Sequence, residues 1–352
     1  MKTKDSVKLE PFHYVFPSIP MVALVTIVVL LPQIFMLFFT ESYKSLVLIA
    51  GCISASLIME FTDSFFLRKK RGFYSLALLQ GILIGMFLPE SYPIATAFFI
   101  VLLTLGISKY VFGGIAGSWM NPTALTLVVA YFIGALWFPH YVIPGEYLQS
   151  QNTSLILINE GVFPIQTFDP SVTGFFNDVV FSKLNANISE GYVSLLWDSG
   201  ATIPAFRFNI LTLIASIILF SIKGLSWEVP VSFIFVYALL VRLFCPLFAG
   251  GPLGGGDVIL ALTTGGILFT AFFVLPWFGT VPRSRRGKLL YGILVGVIAF
   301  FLSGYGLSAI GAVFSVFYGN ICSVFIQVFE NKKTEQKLFK LQEASKLCQI
   351  QE

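Results

Sequence analysis

The feature that most constrains this chain is a series of apolar segments separated by short polar ones. Apolar residues make up 56% of the 352 residues and charged residues 11%, which is about half the charge that a soluble domain carries. A segment that spans lipid must satisfy its backbone hydrogen bonds internally, so segments of this kind are helices. We therefore predict an all-α membrane protein with about ten transmembrane helices, at residues 19–40, 46–66, 73–88, 94–112, 122–140, 209–223, 229–248, 257–276, 288–303 and 307–328.

Basic residues indicate the orientation of these segments. If the N-terminus is cytoplasmic, 18 of the 22 Lys and Arg residues fall on the inner side, including the run at 68–71 and four residues between 283 and 288. Cytoplasmic loops of membrane proteins carry such an excess. The distribution predicts that both termini are cytoplasmic and that residues 141–207 lie outside. The four exceptions are Lys44, Lys183, Arg207 and Arg242.

A faint internal repeat relates the third and eighth segments. Gly81-Ile82-Leu83 followed by Leu88-Pro89 resembles Gly266-Ile267-Leu268 followed by Leu275-Pro276. The two segments are five apart, and an odd number of helices per repeat inverts the second copy relative to the first. Such repeats place functional sites where interrupted helices meet. Two inverted five-helix repeats are one interpretation, and chance recurrence of apolar residues is the other.

The apolar segments divide the chain into five regions. We predict a cytoplasmic N-terminal segment at 1–18, a first five-helix repeat at 19–140, a small packed extracytoplasmic region at 141–208, a second repeat at 209–328 and an amphipathic cytoplasmic tail at 329–352. Asn121 before Pro122, and Asp257, have the chemistry of helix N-caps. Gly-rich breaks precede both caps, and tight turns explain most of their glycines.

Several classes of site have no basis in the sequence. The chain has no P-loop and no dinucleotide fingerprint, and it lacks a catalytic His or Cys constellation, so it has no complete active site of its own. Its two His residues are isolated and its four Cys residues form no CxxC pair, so we expect no metal site. The net charge of +4 arises from loop anchors, so we expect the lipid bilayer, and no nucleic acid, as a partner.

One polar motif stands out just before the sixth apolar segment: Ser199-Gly200-Ala201-Thr202. Together with three other stretches, it resembles the membrane subunits of Rnf electron-transport complexes and, more distantly, those of sodium-pumping NADH:quinone reductases. The other stretches are Lys109–Gly114 with Asn121–Leu125, Thr264–Gly266 with Ala271–Phe273, and Arg286–Gly292 with Asn320. The resemblance runs from about residue 10 to residue 328.

The resemblance implies a cofactor and partners. In these families the motif Thr is esterified to the phosphate of FMN, which implies covalent FMN on Thr202 with Ser199, Gly200 and Ala201 as its context. It also implies a bacterial inner-membrane location, other Rnf subunits bearing FMN and iron–sulfur centres, and a flavin transferase for maturation. Whether riboflavin also binds without a covalent bond stays open, as does the coupling ion, Na⁺ or H⁺.

Charged and aromatic residues near the motif suggest further roles. Arg207 is placed to offset the phosphate charge, with interfacial anchoring as the alternative, and Trp197 and Phe206 are candidate neighbours of the flavin ring. Ionisable residues in apolar segments are candidates for an ion path or for structural roles, since charge in lipid is costly. Here these residues are Glu60, Asp63, Arg242 and Asp257.

Two departures from the family pattern are visible. Pro276–Thr280 stands where relatives commonly carry an Asp-Pro-Val segment, and Asp198 adjoins the motif where the family's acid lies further upstream. The sequence therefore supports an electron-carrying flavoprotein subunit first. A solute channel or transporter, which five-helix repeats also build, and a purely structural anchor subunit are the alternatives.

Overall fold

A computed structural model describes residues 17–66, 73–111, 120–139, 163–184, 186–222, 226–248, 253–304 and 308–350. Within these ranges the chain forms helices and their connections and contains no strand, which confirms the all-α class. The N-terminal segment at 1–16 and the first part of the predicted extracytoplasmic region, up to residue 162, lie outside the described residues.

The first half contains five apolar helices. They are α1 Ile19–Phe39, α2 Tyr43–Phe66, α3 Tyr74–Phe87, α4 Ile94–Leu105 and α5 Pro122–Gly134. The last turns of α4 pass into a π-helix at Gly106–Val111. Helix α3 packs closely on α2, because Cβ atoms at Gly81 and Gly85 would lie 2.5 and 2.7 Å from the α2 backbone. These two glycines therefore set the α2–α3 separation.

Two short helices precede the second half. They are α6 Asp169–Val179 and α7 Tyr192–Trp197, and a 3₁₀ turn at Pro204–Phe206 follows them. The second half contains α8 Asn209–Ser221, α9 Glu228–Phe248, α10 Val258–Thr264, α11 Ile267–Phe269, α12 Arg285–Ala299 and α13 Gly311–Ile350. Helices α11 and α12 continue as π-helices at Thr270–Val274 and Phe300–Gly304.

Every predicted apolar segment contains helix, but not all segments are of spanning length. Four helical stretches are long and apolar enough to cross a membrane, namely Ile19–Phe39, Tyr43–Phe66, Arg285–Gly304 and Gly311–Phe339. Shorter apolar helices accompany them, including Tyr74–Phe87 and Asn209–Ser221. The chain is thus a membrane protein with several apolar helices, and the number of ten crossings stays a prediction.

The predicted helix caps are confirmed. Asn121 Oδ1 accepts hydrogen bonds from the backbone N–H groups of Thr123 at 2.9 Å and Ala124 at 3.3 Å, and Pro122 occupies the first turn of α5. Asp257 Oδ1 likewise accepts from Leu260 N at 3.0 Å at the start of α10. Both side chains satisfy amide groups that the first helical turn leaves unpaired.

The predicted eighth segment, 257–276, is broken where the sequence suggested a continuous span. Gly265 and Gly266 separate α10 from α11, and Gly266 has φ +63°, a conformation that favours glycine. A Cβ at Gly266 would overlap the ring of Phe206. The break therefore admits an aromatic ring from the segment that contains the polar motif.

Helix packing recurs between the two halves. In the first half α1 contacts α3, α2 contacts α4, and α4 contacts α5. In the second half the corresponding pairs, α8 with α11, α9 with α12, and α12 with α13, are also in contact. Two five-helix repeats would produce this recurrence, and their inverted relation stays a prediction.

The C-terminal tail is not separated from the last apolar segment. Helix α13 runs without interruption from Gly311 to Ile350, across the predicted boundary at residues 328 and 329. Its exposed face changes there from apolar side chains such as Phe325 and Phe329 to the charged stretch that begins at Glu330.

Candidate functional site

The Ser199–Thr202 motif forms a tight loop that projects between α7 and the 3₁₀ turn at Pro204–Phe206. Thr202 is exposed, whereas Ser199 and Ala201 are buried. The two ends of the loop are joined, because Ser199 N donates to Arg207 O at 3.2 Å and Ser199 Oγ donates to Phe206 O at 2.9 Å. The motif thus presents one side chain, that of Thr202, on a closed frame.

An ion pair closes the base of this loop. Arg207 Nε donates to Asp198 Oδ1 at 2.8 Å and Arg207 Nη2 donates to Asp198 Oδ2 at 2.6 Å, which is the bidentate geometry of strong Arg–carboxylate pairs. Asp198 Oδ1 also accepts from Gly200 N at 2.9 Å. The side chains of Arg207 and Asp198 are 13% and 9% exposed. One carboxylate therefore fixes both the guanidinium and the motif backbone.

The loop is also fastened to the first half of the chain. Arg207 Nη1 donates to Ser42 Oγ at 2.8 Å, in the α1–α2 connection. Glu90 N donates to the carbonyl oxygen of Thr202 at 3.1 Å, from the α3–α4 connection. The α1–α2 connection therefore binds the base of the loop, and the α3–α4 connection binds the backbone of Thr202.

Gly200 has a conformation that other residues adopt rarely. Its φ is +65°, and a Cβ at this position would lie 2.6 Å from two ring carbons of Pro164. Both the left-handed backbone and the contact with Pro164 require glycine. This left-handed turn at Gly200 lies two residues before the exposed Thr202.

Sequence reasoning anticipated the residues of this loop but not all of their partners. All three guanidinium nitrogens of Arg207 bind protein groups, Asp198 and Ser42, so the predicted phosphate contact is not what positions this side chain. Phe206 is 4% exposed and packs edge-on against Phe87 at a centroid distance of 6.1 Å. Trp197, by contrast, is 42% exposed. Of the two aromatic candidates, only Trp197 offers an accessible ring surface.

A second ionic cluster lies within the helices. Lys109 Nζ donates to Glu60 Oε2 at 2.8 Å and to Gln80 Oε1 at 3.3 Å, and Phe73 N donates to Glu60 Oε1 at 2.7 Å. The side chains of Lys109 and Glu60 are 3% and 2% exposed. The predicted candidate Glu60 is therefore paired, and Asp63 lies one turn further along α2.

Lys109 and Gln80 are members of this cluster that sequence reasoning did not assign to it. Lys109 is one of the 18 basic residues predicted on the inner side, and it lies buried in the π-helix that extends α4. The available signal was a single Lys and a single Gln inside apolar segments, where unpaired polar groups are costly.

The other ionisable candidates, Asp257 and Arg242, lie in the second half, and Asp257 also binds the outer segment. Asp257 Oδ2 accepts a short hydrogen bond from Tyr192 in α7. Arg242 Nη1 donates to the carbonyl oxygen of Gly256 at 3.0 Å. Asp257 is thus both a helix cap and the anchor of α7. Within the described ranges, no three His, Cys, Asp or Glu side chains are grouped as metal ligands would be.

Comparison with known proteins places the chain in a family. A model of the NQR2, RnfD, RnfE family matches residues 6–336. The chain belongs to this family. The match extends across both helical halves and includes the loop of Thr202.

Individual relatives are named more specifically, as subunits of an ion-translocating oxidoreductase complex. The chain is 24% identical over 320 residues to the protein of this name from Actinobacillus succinogenes, which covers 85% of this chain and 89% of that protein. It is 26% identical over 285 residues to the protein of the same name from Salmonella arizonae, covering 72% and 75%. A third, from Aliivibrio salmonicida, is 23% identical over 274 residues, covering 73% and 76%.

Proposed function

We propose that the chain is the membrane flavoprotein subunit of an Rnf-type ion-translocating oxidoreductase complex and carries electrons through FMN bound covalently to Thr202. The observation that carries this proposal is the geometry of the Ser199–Thr202 loop. It exposes a single hydroxyl-bearing side chain on a backbone fixed by Asp198, Arg207 and Glu90. The names of the relatives support the same class of complex.

The loop fits the chemistry of a phosphoester. The ester would form when Thr202 Oγ attacks the flavin-bearing phosphorus of a phosphoanhydride donor such as a flavin dinucleotide. The hydroxyl proton goes to a base of the flavin transferase, the P–O bond of the anhydride breaks, and the other nucleotide leaves as its monophosphate. The Thr202 side chain must therefore be accessible to that enzyme. Small residues before it keep the approach open, since Gly200 has no side chain and Ala201 is turned inward, 6% exposed. Hydrogen bonds from Glu90 N to Thr202 O and from Gly200 N to Asp198 hold the backbone on either side of the proposed attachment point.

A covalent bond suits an exposed location. FMN supplies a ring that accepts and donates electrons, and attachment to Thr202 prevents its loss to the outer compartment. The protein groups around the attachment point then orient the cofactor. Trp197 is the accessible aromatic surface near the loop, while the buried Phe206 anchors the loop to α3 and to the break at Gly266.

The helical bundle supplies the second part of the proposal, the coupling of electron transfer to movement of Na⁺ or H⁺. NADH oxidation and iron–sulfur chemistry belong to partner subunits, because this sequence contains no dinucleotide fingerprint and no Cys cluster. The buried Glu60–Lys109 pair and the π-helical segments in α4, α11 and α12 are the features of the bundle that such coupling would use.

Intact-mass analysis tests the proposal directly. The full chain is produced with a flavin transferase, and its mass and in-gel flavin fluorescence are compared for wild type, Thr202→Ala and Thr167→Ala. Thr167 is a matched control, because it is another exposed Thr outside the helices, just before α6. We expect the mass of one FMN in the wild type and in Thr167→Ala, and its loss in Thr202→Ala.

Three results would count against the proposal in different ways. An unmodified wild-type chain would remove the flavoprotein assignment. An unmodified chain that also conducts solute would favour the channel or transporter. Electron transfer that survives Thr202→Ala in the assembled complex would leave the subunit with the role of a structural anchor.

A further inference from the structure

A polar cavity of about 540 Å³ lies at the predicted cytoplasmic end of the bundle. It is formed by the connection between α11 and α12 together with Ser226, just before α9, and one residue each from α12 and α13. Its lining includes Ser226, Trp277, Phe278, Arg283, Lys288 and Gln327. This region contains the Pro276–Thr280 stretch that departs from the family pattern.

The described residues that line the cavity include two cations, Arg283 and Lys288, and no carboxylate. Arg283 is exposed and Lys288 half-buried, and within the described parts of the chain no carboxylate forms a salt bridge with either. The carboxylate of Glu330 lies beside this region, where it accepts hydrogen bonds from Arg283 N at 3.0 Å and from the backbone and hydroxyl groups of Ser284. Two cations and the neutral donors Ser226 and Gln327 thus line one space.

Several side chains that line the cavity are held by contacts within the protein. Trp277 is 5% exposed and packs edge-on against Phe278 with ring centroids 5.6 Å apart. Gln327 Nε2 donates to Ser323 Oγ at 3.1 Å, which holds the amide in place. The exposed Trp227, next to the lining residue Ser226, is of the type that concentrates at the level of lipid headgroups.

An exposed apolar stripe begins beside the cavity. Trp227 follows the lining residue Ser226, and Val231 and Phe235 follow at intervals of four residues on α9, with exposed fractions of 58%, 47% and 64%. Leu289 and Leu290, next to Lys288, are 41% and 57% exposed. In a membrane protein, an exposed apolar helix face of this kind contacts acyl chains. This apolar stripe extends along α9 from the side of the basic cavity.

We propose that this cavity binds the phosphate headgroup of an anionic glycerophospholipid, whose acyl chains lie along the α9 stripe. Arg283 and Lys288 pair with the phosphate, and Ser226 and Gln327 lie within the same space as hydrogen-bonding groups. Free phosphate has the same headgroup chemistry but no chains to place on Trp227, Val231 and Phe235. The apolar stripe favours the lipid. The inference is independent of the flavin on Thr202.

Lipid retention by the full chain provides the test. The chain is purified in mild detergent, exposed to mixed micelles of phosphatidylglycerol and phosphatidylcholine, washed, and its bound lipid measured by native mass spectrometry. The Arg283→Gln, Lys288→Gln double variant is compared with Arg285→Gln, Arg286→Gln. The control pair removes the same charge from exposed residues that do not line the cavity.

We expect the wild type and the control variant to retain phosphatidylglycerol selectively. The apparent affinity of the cavity variant should fall about thirtyfold, because it loses two cations next to the headgroup, and Arg283→Lys, Lys288→Arg should restore it. Circular dichroism confirms that each variant is folded.

Three outcomes would overturn the inference. Equal lipid loss in both double variants would mean that only the general surface charge matters. A second outcome is equal retention of the two lipids, combined with thermal protection of the wild type, but not of the cavity variant, by inorganic phosphate. That result would indicate a soluble phosphate ligand. Unchanged lipid retention in a cavity variant that no longer copurifies with another subunit would assign the cavity to a protein interface.

Discussion

Two of the carboxylate–cation pairs in the described parts of the chain have nearly the same bond lengths but opposite settings. Asp198 and Arg207 are nine residues apart and close a loop at 2.6 Å, whereas Glu60 and Lys109 are 49 residues apart and join two helices at 2.8 Å. The loop pair retains some contact with solvent, and the helix pair has almost none. The distances alone do not distinguish them.

The difference in burial predicts different consequences when one partner of each pair is removed. Removal of one partner from a desolvated pair leaves a buried charge uncompensated, so the helix pair should dominate stability. The loop pair organises an exposed motif, so its loss should affect modification of Thr202 more than folding. Variants of the two pairs therefore separate stability from function.

The largest expected effect is on the helix pair. Lys109→Ala or Glu60→Ala should destabilise the chain by about 3–5 kcal/mol, because each leaves a buried charge behind. Unfolding in detergent measures this, with exposed Lys44→Ala as the control. The double change Glu60→Leu, Lys109→Met should recover most of the loss. A double variant that is as unstable as the sum of the single ones would contradict this account.

The next effect concerns the loop pair. Asp198→Asn or Arg207→Ala should reduce the flavin-modified fraction of the chain about tenfold. Either change should lower stability by about 1.5–3 kcal/mol, the range for a hydrogen bond to a charged group. Intact mass gives the modified fraction. The exchange Asp198→Arg, Arg207→Asp should restore part of it. Full modification of the single variants would show that the frame of Thr202 does not depend on the pair.

A smaller effect is expected at Gly200. Gly200→Ala must adopt φ +65° and contact Pro164, at a cost of about 1–2 kcal/mol from the backbone conformation alone. Gly254→Ala is the matched control, since Gly254 has φ +86° but open space around it. We expect modification of Thr202 to decrease only in Gly200→Ala. Equal modification in both variants would mean that the turn tolerates the methyl group.

The smallest effect is expected at the surface. Arg285 Nε lies 3.8 Å from Glu228 Oε1, and the Arg285 side chain is 90% exposed. Such a pair contributes about 0–1 kcal/mol, so Arg285→Gln should leave the unfolding midpoint nearly unchanged at moderate ionic strength. A loss comparable to that of Lys109→Ala would show that burial does not explain the contrast between the pairs.

Features encoded by neighbouring residues could be predicted from the sequence. The apolar segments indicated helices because a membrane leaves the backbone few alternatives. Asn121 and Asp257 were recognisable as caps, since a cap bonds amides two or three residues away. The motif at 199–202 was recognisable by resemblance, and its glycine lies at a turn that requires one.

Contacts between distant segments were decided by the tertiary structure. The sequence alone determined that this is a helical membrane protein with capped helices and a polar loop at Thr202, because these properties depend on local hydrogen bonding and on hydropathy. Only the fold decided that Lys109 meets Glu60, that Arg207 binds Asp198 and Ser42, and that the ring of Phe206 fills the break at Gly266. Packing and desolvation between helices select these partners. Contacts between residues far apart in the chain leave no periodic pattern in the sequence from which the partners could be predicted.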